Sequence, residues 1–436
     1  MQTHGMQETH SLAIILIKTK KHMKKGANVM ATTALAVALG LSACSTTKHV
    51  GKNDNAPAAS KGIELSATQQ NAVESNNRFA FRLYKELKTD ESYVLSPLSV
   101  VYLMGMLNNG AAGQTREEIN NTLGFDNTGV DGINALCNRL LTKMGSLDGN
   151  TTIHIANSID VNKNYALKKE FKNTVQKQYL ASVESLDFSN ASTLGKINGW
   201  CAQHTDGMIP KMIDEVDPSA VAYAMNAIFF KGKWKTPFDK ELTQKADFTL
   251  ANGNKKPVDM MAIEDRFLYA ANDTYAALQL PYGNGSFAMT VVLPNEGKSI
   301  DNAVAAISSA SWQATMQTLI RQKVNVKLPR FETETSTPFN APLSALGAPS
   351  MFNAQTAQFP YLCNALVYIS KMFQKAKIEV NEEGTKAAAV TMGIVSLTSV
   401  ALPKPVPQFH ADRPFLYLIT EQSTGTILFM GQYTGK

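Results

Sequence analysis

The chain has 436 residues, a formal charge of +6, and 44% hydrophobic against 18% charged side chains. That length makes two or three domains the ordinary expectation, and that balance excludes wholesale disorder. Residues 1–43 hold five lysines and one glutamate, so +4 of the charge is local and the remaining +2 is scattered. No basic stripe is left over, and no nucleic-acid partner is expected.

In chain order, the N-terminus reads as an export signal. Met23-Lys24-Lys25 opens a positive region, and residues 29–41 are an apolar run too short to span a bilayer. Met23 reads as the start, because residues 12–17 put a second apolar patch ahead of the signal. Leu41-Ser42-Ala43-Cys44 resembles a bacterial lipobox, which implies cleavage before Cys44 and a lipid on its thiol. The alternative is a plain secretory signal with a chance cysteine. A multi-chain lipid would anchor the protein stably to a bacterial membrane, at the outer membrane or cell surface. Residues 44–62 then form the lipidated cysteine and a flexible tether, polar and aperiodic, with Pro57. Residues 63–436 remain for the folded domain.

Ser66 is positioned to cap a helix carrying Val73, Ala80, Leu83 and Leu87. Ser96-Pro97 predicts a second helix to about Asn108, with proline in the first turn. The spacing of Thr115 and Glu118 fits a capping box before a third helix. Leu194, Ile197, Cys201 and His204 predict one more amphipathic helix, ended by Asp206-Gly207. After Ala220 the balance shifts to strands, expected at 226–231, 267–271, 277–280, 287–293, 324–328 and 416–420. Gly283-Asn284-Gly285 reads as a hairpin turn. Helices early and strands late indicate an α+β fold.

Enzyme chemistry finds no support. Beyond the N-terminal 43 residues and His49 in the tether, the imidazoles are His154, His204 and His410, and no nucleophile elbow, phosphate loop, zinc helix or dinucleotide fingerprint occurs. Once Cys44 is set aside, Cys137, Cys201 and Cys363 are an odd set without a Cys-x-x-Cys. They predict buried thiols, neither disulfides nor a metal site, and no cofactor is expected.

The most telling segment is 381–399. It opens with Glu382-Glu383-Gly384, a turn or hinge signal, and continues with small or aliphatic residues and one charge, Lys386. At period two, one face carries Thr385, Ala387, Ala389, Thr391, Gly393 and Val395. The other carries Lys386, Ala388, Val390, Met392 and Ile394. The first face is small throughout, so such a strand could slide between two existing strands.

This arrangement resembles the hinge and reactive loop of the serpins. Leu95-Ser96-Pro97-Leu98-Ser99, Asn109-Gly110-Ala111-Ala112-Gly113 and Ile155-Ala156-Asn157-Ser158 also match that family in order. So do Asn226-Ala227-Ile228-Phe229-Phe230, Leu328-Pro329-Arg330-Phe331, His410-Ala411-Asp412-Arg413-Pro414-Phe415 and Phe429-Met430-Gly431. The resemblance covers residues 63–436. It implies eight to nine helices around three β-sheets, an exposed loop over about 382–408, and a monomer. It also implies irreversible suicide inhibition of serine endopeptidases, with papain-like cysteine endopeptidases as a second class; the alternative is a non-inhibitory serpin-fold binding or surface protein.

Counting from Gly384 by the common hinge length puts the scissile bond at Thr398-Ser399, with Leu397 the alternative; counting back from Pro414-Phe415 puts it nearer Pro403. Thr398 suits an elastase-like enzyme and Leu397 a chymotrypsin- or papain-like one; subtilisin-like enzymes are further candidates. Glu382, Glu383, Gly384, Thr385, Lys386, Ala387, Ala388 and Ala389 correspond to the hinge. Ser96, Ser99 and Asn226 correspond to the polar shutter cluster, and Trp234 to the tryptophan where insertion begins. Gln374 stands where many serpins carry histidine, so a pH switch at the shutter is expected to be missing.

Overall fold

A computed structural model describes residues 62–436, apart from 88, 126–127 and 385–404. The readings placed on the export signal and Cys44, on Thr385, Lys386, Ala387, Ala388 and Ala389, and on Leu397, Thr398 and Ser399 lie outside the described residues. The helices are α1 (Ala67–Glu86), α2 (Pro97–Gly110), α3 (Gly113–Leu123), α4 (Gly129–Lys143), α5 (Lys169–Tyr179), α6 (Ser192–His204), α7 (Ile300–Ala306), α8 (Ser309–Thr318) and α9 (Asn340–Ala345). The strands are β1 (Tyr93–Leu95), β2 (Thr151–Asn162), β3 (Ser182–Leu186), β4 (Ala222–Gly232), β5 (Gln244–Thr249), β6 (Lys255–Ala271), β7 (Tyr275–Tyr282) and β8 (Phe287–Pro294), then β9 (Ile320–Pro329), β10 (Phe331–Pro338), β11 (Lys371–Val380), β12 (Gln408–His410), β13 (Phe415–Glu421) and β14 (Thr426–Tyr433).

Ser66 closes a capping box: its hydroxyl accepts from the Gln69 N–H (3.2 Å) and the Gln69 side chain accepts from the Ser66 N–H (3.0 Å). Ser96 caps α2 through the Ser99 N–H (3.3 Å). Every residue of α2 except Asn109 is buried, as its apolar sequence on all sides requires. Two local readings are corrected. Thr115 and Glu118 do not cap α3, which starts at Gly113. Both instead hold the 350–358 segment: the Thr115 hydroxyl meets Ser350 Oγ (2.9 Å) and accepts from Gln358 N–H (3.0 Å), and Glu118 accepts from Ser350 N–H (2.8 Å). On α6, Ile197 and Cys201 are buried as the stripe predicts, but His204 is exposed, its Nδ1 2.8 Å from the Trp200 carbonyl. The three cysteines are free and buried.

Among the described residues the strands form two hydrogen-bonded networks where three sheets were expected. The larger runs β1-β14-β13-β8-β7-β6-β9-β12, with β5 on β6. The 17-residue β6 pairs along its length with β5, β9 and β7 and so joins what would otherwise be separate sheets. The smaller runs β10-β11-β4-β2-β3. Its 12-residue β2 lies in the half of the chain read as helical. Ser158, Asp160 and Asn162 break up its apolar pattern and are nonetheless buried. β4 alternates between two cores. Ala224, Ile228 and Phe230 join the main core. Tyr223, Met225 and Ala227 pack with Ile197, Cys201 and Met212, from α6 and the segment after it. With both faces covered, β4 reads as a continuous buried run.

Candidate functional site

At the centre of the smaller sheet, β4 and β11 are direct neighbours and parallel, from Lys371 opposite Tyr223 to Lys377 opposite Phe229. Their outer partners, β10 on β11 and β2 on β4, are antiparallel. Pairing across this seam stops at Lys377 and Phe229, although the strands run on to Val380 and Gly232. The sheet is therefore parted at one end, and the segment that follows β11 sits in the parting.

Asn381 and Gly384 close a tight reversal there, Asn381 N–H donating to the Gly384 carbonyl (3.0 Å) and Gly384 N–H returning to Asn381 O (3.2 Å). Gly384 also makes an antiparallel bridge to Lys233, just past β4. Two reasons make glycine necessary: φ is +123°, and an added Cβ would lie 2.2 Å from Gly232 O and 2.5 Å from Trp234 N. Trp234 fixes the reversal from the β4 side. Its backbone N–H donates to Glu383 O (2.9 Å) and its indole Nε1–H to Asn381 O (2.9 Å). The indole stacks on Tyr282 at 4.4 Å between ring centroids.

Glu382 is 2% exposed. Its carboxylate pairs with the Arg330 guanidinium and accepts from the Thr243 hydroxyl (2.7 Å), while its carbonyl accepts from Phe238 N–H (2.8 Å). Burial alone would raise this carboxyl, but the hydrogen bonds from Arg330 and Thr243 outweigh it and hold the group below the usual carboxylate range. Glu383 pairs with Lys240. Arg330, Thr243 and Lys240 were not singled out from the sequence. The only signal was two acids beside a glycine, which need cations if they are ordered.

Midway along the seam lies a neutral cluster. Gln374 on β11 stands opposite Asn226 on β4 and donates to its Oδ1 (3.3 Å). The same amide donates to Ser96 O (3.1 Å) and accepts from Ser96 N–H (2.8 Å), tying the seam to the start of α2. Asn226 donates in turn to Asn157 Oδ1 (2.9 Å) and Ala156 O (3.2 Å) on β2. Ser96, Ser99, Asn226 and Gln374 are buried, and Ser99 Oγ has no partner. The structure thus gathers Ser96, Asn226 and Gln374 into one network and leaves the Ser99 hydroxyl beside it. Glu382, Glu383, Gly384 and Trp234 form the other group.

The comparisons fit this geometry. Residues 74–435 match the family model Serpin (serine protease inhibitor). Human leukocyte elastase inhibitor is 32% identical over 379 residues, covering 83% of this chain and 98% of that protein. The native-state structure of tengpin, a thermophilic serpin, superposes with a TM-score of 0.78 at 26% identity, covering 86% of this chain and 96% of tengpin. Human thyroxine-binding globulin complexed with thyroxine gives 0.77 at 28% identity, over 84% and 98% of the two chains. The chain belongs to the serpin family. Serpins are in general protease inhibitors and not catalysts.

Proposed function

We propose that this protein is an irreversible suicide inhibitor of serine endopeptidases, and of papain-like cysteine endopeptidases as a second class. The enzyme's nucleophile attacks the carbonyl carbon of Thr398, or of Leu397 in the alternative register. An acyl bond to the enzyme forms, the peptide bond breaks, and Ser399 leaves as a free amine. The freed loop then enters between β4 and β11 and carries the acylated enzyme with it, an instance of strand addition and of strain released by cleavage.

One observation carries this reading: Gly384 bridges antiparallel to both Asn381 and Lys233, at the parted end of a parallel strand pair. A chain continuing from there runs antiparallel to both neighbours and replaces one parallel pairing by two antiparallel ones. Ten such residues, at about 1 kcal/mol net each, give a drive on the order of 10 kcal/mol. That is enough to disorder an enzyme of ordinary stability.

The test is a denaturing gel of the protein mixed with elastase-, chymotrypsin-, subtilisin- and papain-like enzymes. A boiling-resistant band at the summed mass is expected, and its mass spectrum fixes the cleaved bond. Stoichiometric clipping without a trapped enzyme, and without a rise in melting temperature, would overturn the proposal. It would favour a non-inhibitory serpin-fold binding or surface protein, a reading supported by the structure of thyroxine-binding globulin with its ligand. The inhibitor is further proposed to act as a monomer at a bacterial membrane, held by a lipid on Cys44; Cys44→Ala should move it from the membrane to the soluble fraction.

A further inference from the structure

β9 buries Val324, Val326 and Leu328 and turns Arg321, Lys323 and Lys327 outward, all three exposed. β6 places Arg266 opposite Lys323 and Glu264 opposite Asn325, so these side chains share the outer face. Glu264 pairs with Lys323 at 2.5 Å. Among the described residues no carboxylate pairs with Arg266, Arg321 or Lys327. Burial and Lys327 lower the His410 imidazole, which adds no charge at neutral pH. One sheet face therefore presents four permanent cations to one acid.

We propose that this face is a second docking surface, which captures an acidic rim of the target protease while the loop occupies its active site. The proposal rests on the inhibitory reading of the loop. β12, the strand that resumes the fold after the loop, lies along β9 at the edge of this face. Ser399 and Gln408 are nine chain steps apart, an extended reach of at most about 30 Å. Residues 385–407 contain Lys386 and Lys404 and no acid, so the loop cannot neutralise the face. A partner carrying acids supplies the missing charge, and opposite potentials raise the encounter rate more than the final affinity.

The test compares the full chain with its Arg266→Ala/Arg321→Ala/Lys327→Ala variant, using whichever of the four enzyme types cuts the loop fastest. Association should slow about tenfold in low salt, and the gap should close near 1 M salt, where the Debye length is about 3 Å. Melting temperature, cleaved bond and trapped fraction should stay unchanged. Equal rates and equal salt slopes for the two proteins would overturn the proposal. So would tight binding of a sulfated polysaccharide by the wild type alone with unchanged protease rates, because the face would then belong to a polyanion. If the loop is cut without trapping, the inhibitory reading fails, yet the cleavage rates still report on this surface.

Discussion

The parted end and the middle of the β4–β11 seam are held by opposite chemistries. At the parted end, charge and shape do the holding: Glu382 between Arg330 and Thr243, and Gly384 pressed against the β4 backbone. Midway, a neutral network of Gln374, Asn226, Asn157 and Ser96 does the same task with no titratable group. The first can be loosened by acid or by one side chain too many. The second holds no titratable group, so acid can loosen the parted end without loosening the middle.

Gly384→Val should have the largest effect on trapping. The left-handed backbone and the blocked Cβ position together cost about 1–3 kcal/mol. The hinge should move off β4, and the trapped fraction on a gel should fall several-fold in favour of clipped product. A Gly384→Val protein that traps at wild-type stoichiometry would remove Gly384 from the mechanism.

Next come the partners of the buried ion pair, which are not equivalent. Arg330 is 46% exposed at its side chain and Glu382 only 3%. Arg330→Ala strands a buried carboxylate and should cost about 3 kcal/mol, whereas Glu382→Gln leaves an arginine that water can reach and should cost about 1 kcal/mol. Urea midpoints would rank them, and the reverse order would break the asymmetry.

The pH dependence separates the parted end from the middle more finely. The folded pKa of Glu382 lies below its unfolded value, so its stabilisation is complete above the ordinary carboxylate range near pH 4 and is lost as pH falls through the folded value. The melting-temperature gap between wild type and Glu382→Gln should therefore close in acid. The neutral cluster of Gln374, Asn226 and Ser96 should contribute nothing to this profile. Gln374→His would create a dependence there: burial disfavours the imidazolium, so about 1 kcal/mol should be lost as pH falls below about 6.5. The smallest effect is expected at Ser99, whose hydroxyl is buried and unpartnered; Ser99→Ala should stay within about 0.5 kcal/mol of wild type or stabilise it.

Local patterns made much of this legible in advance. Ser66 and Ser96 cap the helices they announce, whereas the small-residue run after Gly384 lies outside the described residues. Ser96, Asn226, Gln374 and Trp234 were found through family resemblance, since nothing in their own spacing brings them together. Arg330 and Thr243 reach Glu382 across 52 and 139 residues of chain, separations no local pattern encodes. Thr115 and Glu118 show the converse failure: a faithful capping-box spacing spent on a tertiary contact, because Gly113 had already started the helix.

The double bridge at Gly384 also bears on time. A zipper is slow to start and quick to run, because the first rung fixes several dihedrals for few bonds. On the proposed inhibitory mechanism that rung stands before any enzyme arrives, so insertion would begin past its nucleation step with only propagation left. Under that proposal, substitutions beyond Gly384 would change the choice of target and leave the start of insertion as it is.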